Sequence, residues 1–109
     1  MRLYGASAGE AEASLKWYYV LCIMYYCYIL HFRKNGKLYC GFTSNLKKRI
    51  INHRAGNSEF TSRNGDFDLI FYEAYKNEKD AREAERYFKT GHGREVLRGK
   101  LNNYFGGFA

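Results

Sequence analysis

The chain has 109 residues, room for one domain at about 100–200 residues each, and a domain this size buries only roughly 60–65% of its unfolded surface, which excludes a deep cleft between lobes. Eighteen Lys and Arg against 11 Asp and Glu leave a net charge of +7, which favours a polyanionic partner, nucleic acid first and a membrane surface second. Eleven Tyr, eight Phe and one Trp without a single Pro exclude a disordered chain, because that much aromatic area offsets ordering entropy.

The charge is unevenly spread. Before Met24 the two bases Arg2 and Lys16 balance Glu10 and Glu12, so all the excess lies in residues 24–109. Trp17 to Leu30 is an apolar and aromatic run of 14 residues, short of the roughly 18–20 that a membrane span needs, and its tyrosines suit a strand. No small-residue cleavage site follows it, so a targeting peptide and a membrane partner are not expected. Cys22, Cys27 and Cys40 are odd in number and lack metal-ligand spacing, which suits a reducing cytoplasm rather than a disulfide framework or zinc site.

In chain order, residues 25–32 and 37–42 are β-formers flanking Asn35-Gly36, a strong hairpin signal. Ser44 is a candidate cap for a helix over 45–54 whose apolar positions, Leu46, Ile50 and Ile51, fall at helical spacing. Gly56 to Asp66 reads as a polar loop, and Phe67–Ala74 as a third strand. Asn77 opens a second helix through Lys89; Gly91 stops it, and a third helix covers Arg94–Lys100 with Val96, Leu97 and Leu101. The expected fold is α+β, a small three-stranded antiparallel sheet with three helices in the order β-β-α-β-α-α. Residues 1–23 form an N-terminal extension, 24–101 the domain and 102–109 a C-terminal tail.

Some residues do not suit a bland fold. On the second helix Ala81, Ala84 and Phe88 form the inward stripe, and Glu85 lies on or beside it. Its carboxylate either pairs with Lys89 at i+4 or serves as a metal ligand. Arg49 and His53, also four apart, share one edge of the first helix; alternatively they belong to a solvated basic face with Lys47, Lys48 and Arg54. If Lys34 pairs with Lys37 across the turn, Phe32 faces Tyr39, Tyr28 joins Tyr39 on one side of the sheet, and Cys27, Leu38 and Cys40 go to the other.

Taken together, Tyr26-Cys27-Tyr28, Tyr39-Cys40-Gly41, Arg49, His53 and Glu85 resemble the GIY-YIG nuclease superfamily, over roughly residues 24–101. The two tyrosines stand eleven apart and Arg49 follows Tyr39 by ten, as in that family's pattern. Met24 to Leu30, Gly36 to Tyr39, Leu46 to Arg49 and Arg86 to Gly91 look most like its small stand-alone bacterial members, related to the catalytic domain of the excision-repair incision subunit. Tyr26 and Cys27 replace the usual Gly and Ile, and Cys40 another Ile; these middle positions face the core and touch no reacting group. The Asn that the family often carries late in the domain has no firm counterpart in Asn102 or Asn103.

The resemblance implies a metal-dependent endonuclease that hydrolyses DNA phosphodiester bonds, structure-selective or low in sequence specificity, in DNA repair or processing. Glu85 would hold one Mg²⁺ or Mn²⁺, and Arg49 would grip non-bridging phosphate oxygens. Tyr28 is the candidate general base, with a pKa lowered by Arg49 and the metal site; Tyr39 positions the water or hydrogen-bonds Tyr28, and His53 relays a proton or holds the phosphate. Lys47, Lys48, Arg54, Arg63, Arg82, Arg86, Lys89 and Arg94 form the expected phosphate-binding surface, with Gly91-His92-Gly93 either offering backbone N–H groups to one more phosphate or ending a helix. The alternative is a DNA-binding module of the same fold without turnover.

Overall fold

The structure, a computed structural model, describes residues 23–107. Cys22 and the rest of the expected extension up to residue 22 lie outside the described residues, as do the last two residues of the expected tail.

Three antiparallel strands, β1 (Tyr25–Phe32), β2 (Leu38–Thr43) and β3 (Phe67–Tyr75), form a sheet in the order β2-β1-β3. β1 is central and covered on both faces, which is why it reads as a continuous apolar run rather than an alternating one; Cys27 to Phe32 are all buried. Helices α1 (Leu46–Arg54) and α2 (Glu59–Asn64) cover one face, where Leu46, Ile50 and Phe60 pack on Tyr28, Leu30, Phe32 and Phe67. Helices α3 (Glu78–Phe88) and α4 (Gly91–Lys100) cover the other, with Phe88 and Leu97 packed on Cys27, Ile29 and Cys40. A short α5 (Asn102–Gly106) follows, and its Tyr104 hydroxyl lies 2.6 Å from Nδ1 of the buried His31.

The hairpin differs from the predicted two-residue turn. Phe32 N–H donates to the Lys37 carbonyl at 2.9 Å and Gly36 N–H to the Phe32 carbonyl at 2.8 Å, so the loop has four residues, Arg33 to Gly36. Only Gly36 takes a positive φ (72°), whereas a tight type I′ turn needs two such residues. The register moves by two, placing Tyr28 opposite Gly41 and Leu30 opposite Tyr39. A shift of two preserves faces, so Tyr28 and Tyr39 stay on the same side as expected.

β3 carries a bulge: Ile29 pairs with Phe71 and Leu30 with Leu69, leaving Ile70 as the extra residue. Strict alternation would put Phe67, Leu69 and Phe71 on one face. The bulge sends Phe67 and Leu69 to the α1 side and Phe71 to the α3 side, where it meets Phe88.

Four helical segments differ from the sequence reading. Asn45, not Ser44, caps α1, its Oδ1 accepting from Lys48 N–H at 3.1 Å. The expected loop 56–66 contains α2, because Phe60 finds rings to cover, Phe32 and Tyr39 each with centroids 5.2 Å away; tertiary packing decides so short a helix. Gly91 begins α4 instead of merely ending α3. Thr90 caps it, accepting from Gly93 N–H at 3.0 Å, so that N–H is already engaged. The expected tail likewise forms α5 through Gly106.

Gly41 is where packing admits no side chain: a Cβ there would overlap the ring and hydroxyl of Tyr28 across the strand pair. Gly41→Ala is expected to cost about 1–3 kcal/mol by overpacking, read as a lower urea midpoint with unchanged m-value.

Candidate active site

Four of the five expected catalytic side chains meet on the α1 face of the sheet. Tyr28, fully buried on β1, has its hydroxyl 2.8 Å from His53 Nε2 and accepts a bond from Arg49 Nε at 3.1 Å. Arg49 and His53 reach the same oxygen because four residues along α1 is one helical turn. Tyr39 completes the group, its ring 6.2 Å from that of Tyr28 and 5.2 Å from the imidazole.

His53 is 2% exposed, edge-on to Tyr28, Tyr39 and Phe67, which removes the reading of it as a solvated helix-face histidine. Burial, and then the nearby Arg49 charge, push its pKa down to about 4, so the ring is neutral at pH 7. Its Nδ1 is buried without a partner among the described residues.

The electrostatics of Tyr28 reverse the expectation of a lowered pKa. Burial dominates and drives the phenol up to about 12; the Arg49 bond pulls the other way without overcoming it. Arg49 in turn is held more firmly protonated by its bond to Tyr28.

Glu85 stands apart from this cluster. It projects from α3, on the opposite face of the sheet, and its carboxylate Oε2 lies 2.9 Å from Lys89 Nζ, the i+4 pair the sequence allows. The Glu85 carbonyl accepts from the Cys40 thiol at 3.5 Å on edge strand β2, and the Lys89 charge is stabilised chiefly by its bond to Glu85. Glu85 therefore lies beside edge strand β2, next to Cys40. Among the described residues no three His, Cys, Asp or Glu side chains cluster as a closed metal site.

The expected phosphate-binding cations divide. Arg63 pairs with Glu59, Arg82 with Glu78 and Lys89 with Glu85, and Arg94 Nε donates to the Phe88 carbonyl at 2.6 Å. Lys47, Lys48, Arg54 and Arg86 are exposed and make no ion pair among the described residues. Two aromatic supports went unread in the sequence: Arg82 lies 4.0 Å over the Phe42 ring and Arg54 5.3 Å over Phe67. The steric role of Gly41 was also missed, though its place in Tyr39-Cys40-Gly41 marked it once the register is known.

A three-stranded antiparallel sheet carrying paired tyrosines, with an Arg and a His from the following helix, is the architecture of a GIY-YIG domain, and the chain matches the GIY-YIG catalytic domain over residues 24–102. It belongs to this family of nucleases. Among its relatives, a UPF0213 protein of Pediococcus acidilactici is 34% identical over 82 residues, covering 72% of this chain and 83% of the relative. One from Clostridium perfringens is 39% identical over 67 residues (61% and 71%), and one from Lacticaseibacillus paracasei 36% over 76 residues (67% and 84%). No solved structure matches the chain. Among the described residues no helix is long and apolar enough to cross a membrane.

The lowered His53 pKa sets a pH dependence of stability. The unfolded chain takes up this proton near 6.5 and the folded one only near 4, so stability is full above about 6.5 and declines as pH falls toward 4. His53 is expected to account for a loss of roughly 3 kcal/mol across that window. Urea titrations at a series of pH values should show it, with a shallower decline in His53→Gln; the buried His31, whose pKa is also lowered, contributes part of what remains.

Proposed function

We propose that this protein is a metal-dependent endonuclease that hydrolyses DNA phosphodiester bonds, selective for DNA structure rather than sequence, in cytoplasmic DNA repair or processing. The observation that carries the reading is the Tyr28 hydroxyl, fully buried yet held by both Arg49 and His53. Sheet packing alone calls for no arginine and no imidazole on a phenol. The thiols of Cys27 and Cys40, buried and unlinked, suit a reducing compartment.

The chemistry follows from those three groups. Arg49 uses Nε on Tyr28, and its two Nη groups supply the planar fork for non-bridging phosphate oxygens. Tyr28 is a neutral phenol at pH 7, so it takes the proton of the attacking water only while passing its own to His53 Nε2, 2.8 Å away. His53 is neutral and able to receive it, and the negative phosphate favours the imidazolium that forms. The water oxygen bonds to phosphorus, the bond to the leaving oxygen breaks, and that oxygen collects a proton from solvent. Tyr39, beside both rings, orients the water.

Glu85 fits Mg²⁺ or Mn²⁺. A single carboxylate suits an ion that keeps several waters and draws its other ligands from phosphate, and at 21% side-chain exposure Glu85 is neither sealed nor fully solvated. When bound, the ion supplies positive charge against the negative charge that grows on the phosphate. Lys89, freed from Glu85, then turns to the DNA backbone with Lys47, Lys48, Arg54 and Arg86.

The test is cleavage of labelled single-stranded, duplex, flap and branched DNA with Mg²⁺, Mn²⁺ or EDTA. Wild type is expected to cut only with metal. Glu85→Ala should lose cleavage while binding DNA as well or more tightly, since it removes a negative charge and unpairs Lys89. Tyr28→Phe should retain the fold and cut about 10²–10⁴-fold more slowly. Binding without cutting by wild type in every metal would overturn the reading in favour of a non-catalytic DNA-binding module.

A further inference from the structure

A groove of about 810 Å³ runs along the side of α1 away from Arg49, lined by Tyr26 and Tyr72 of the sheet, Ile50 and Ile51 of α1, and the cations Lys47 and Arg54. Its size falls within the range of about 300–1,000 Å³ usual for small-ligand sites. Ile51 is 56% exposed and Tyr72 53%, so an aliphatic and an aromatic surface lie open together. Tyr26 and Tyr72 meet edge to face with centroids 6.1 Å apart, a sturdy aromatic wall.

We infer that this groove binds an unstacked nucleobase of the strand being cut, so that the preferred substrate carries unpaired nucleotides beside the scissile phosphate; this rests on the nuclease reading above. Two observations choose this occupant. The charged groups lining the groove are both cationic, which complements a sugar–phosphate backbone passing over an apolar floor. Residues 47, 50, 51 and 54 occupy one side of α1 and residues 49 and 53 another. A strand whose phosphate is gripped by Arg49 thus has nucleotides within reach of the groove across a helix about 10 Å wide. A base inside a duplex has its faces covered by its neighbours and cannot enter. An unpaired base presents a bare face to Tyr72 and Ile51, and stacking of that kind tolerates any sequence.

The experiment is fluorescence anisotropy in EDTA, where binding is read apart from cleavage, with labelled single-stranded and duplex oligonucleotides. Tyr72→Ala and Ile51→Ser change exposed side chains, so both variants should fold. Each is expected to weaken single-strand binding by about tenfold or more and leave duplex binding unchanged. A 2-aminopurine scanned along the single strand should be quenched at one position by wild type and not by Tyr72→Ala. Equal losses on single strand and duplex, or no loss on either, would overturn the base pocket. Cleavage assays on the same variants separate the two readings: a wild type that cuts, with Tyr72→Ala unchanged in binding, defeats the pocket alone. A wild type that never cuts yet shows the Tyr72-dependent quench defeats the nuclease alone.

Discussion

The structure turns on one buried oxygen. The Tyr28 hydroxyl lies under α1 because three independent features agree on its position: Gly41 across the strand pair leaves room for the ring, the Asn45 cap fixes where α1 begins, and one helical turn brings both Arg49 and His53 to it. Moving the strand register by one residue would carry Tyr28 to the α3 face, and starting the helix one residue later would rotate its two partners by about 100°. The rings of Tyr39, Phe60 and Phe67 then close around His53 and Phe32, so the same contacts that build this half of the core also desolvate the imidazole that meets the phenol.

Burial and charge compete at that oxygen, and burial wins. Arg49 favours a phenolate, but desolvation holds Tyr28 as a phenol and His53 as a neutral imidazole. In the proposed reaction a general base that is neutral at rest has to act through a second acceptor, and the imidazole beside Tyr28 is the group placed to be that acceptor. The cost is visible on the far side of the ring. Either tautomer leaves Nδ1 unsatisfied, as an N–H or as a lone pair, at about 1–3 kcal/mol. A histidine retained at that cost, and under a lowered pKa that weakens the fold in acid, is a poor choice for packing alone.

Patterns of period two and 3.6 made most of the fold legible. β1, β2 and β3 follow from runs of β-formers, the inward stripes of α1 and α3 from apolar spacing, and i+4 spacing put Arg49 with His53 and Glu85 with Lys89. What stayed hidden depends on long-range geometry. α2 is polar in composition and exists through one side chain, Phe60, whose partners lie on the hairpin; Asn64 ties it there as well, its Oδ1 accepting from Asn35 Nδ2 at 2.7 Å. The bulge at Ile70 leaves no local mark, since Phe67 to Tyr75 reads equally well as an unbroken strand. The direction of the Tyr28 pKa shift was misjudged because the charge of Arg49 is written in the sequence and the depth of burial is not.

The division of the site between two faces restricts where DNA can lie. Arg49 stands on the α1 side of the sheet and Glu85 on the α3 side, with edge strand β2 between them; Tyr39 and Cys40, neighbours on β2, belong to opposite faces. A phosphate that meets both the guanidinium and the carboxylate must therefore sit at the β2 edge, since the flat of either sheet face is already covered by helices. Carboxylates and carbonyls occupy Arg63, Arg82, Lys89 and Arg94, so of the eight cations singled out in the sequence those left for backbone contact are Lys47, Lys48 and Arg54 on α1 and Arg86 on α3. In the proposed complex, a strand that meets both Arg86 on α3 and the cations of α1 crosses the β2 edge on its way, and that route would bring the scissile phosphate to Tyr28.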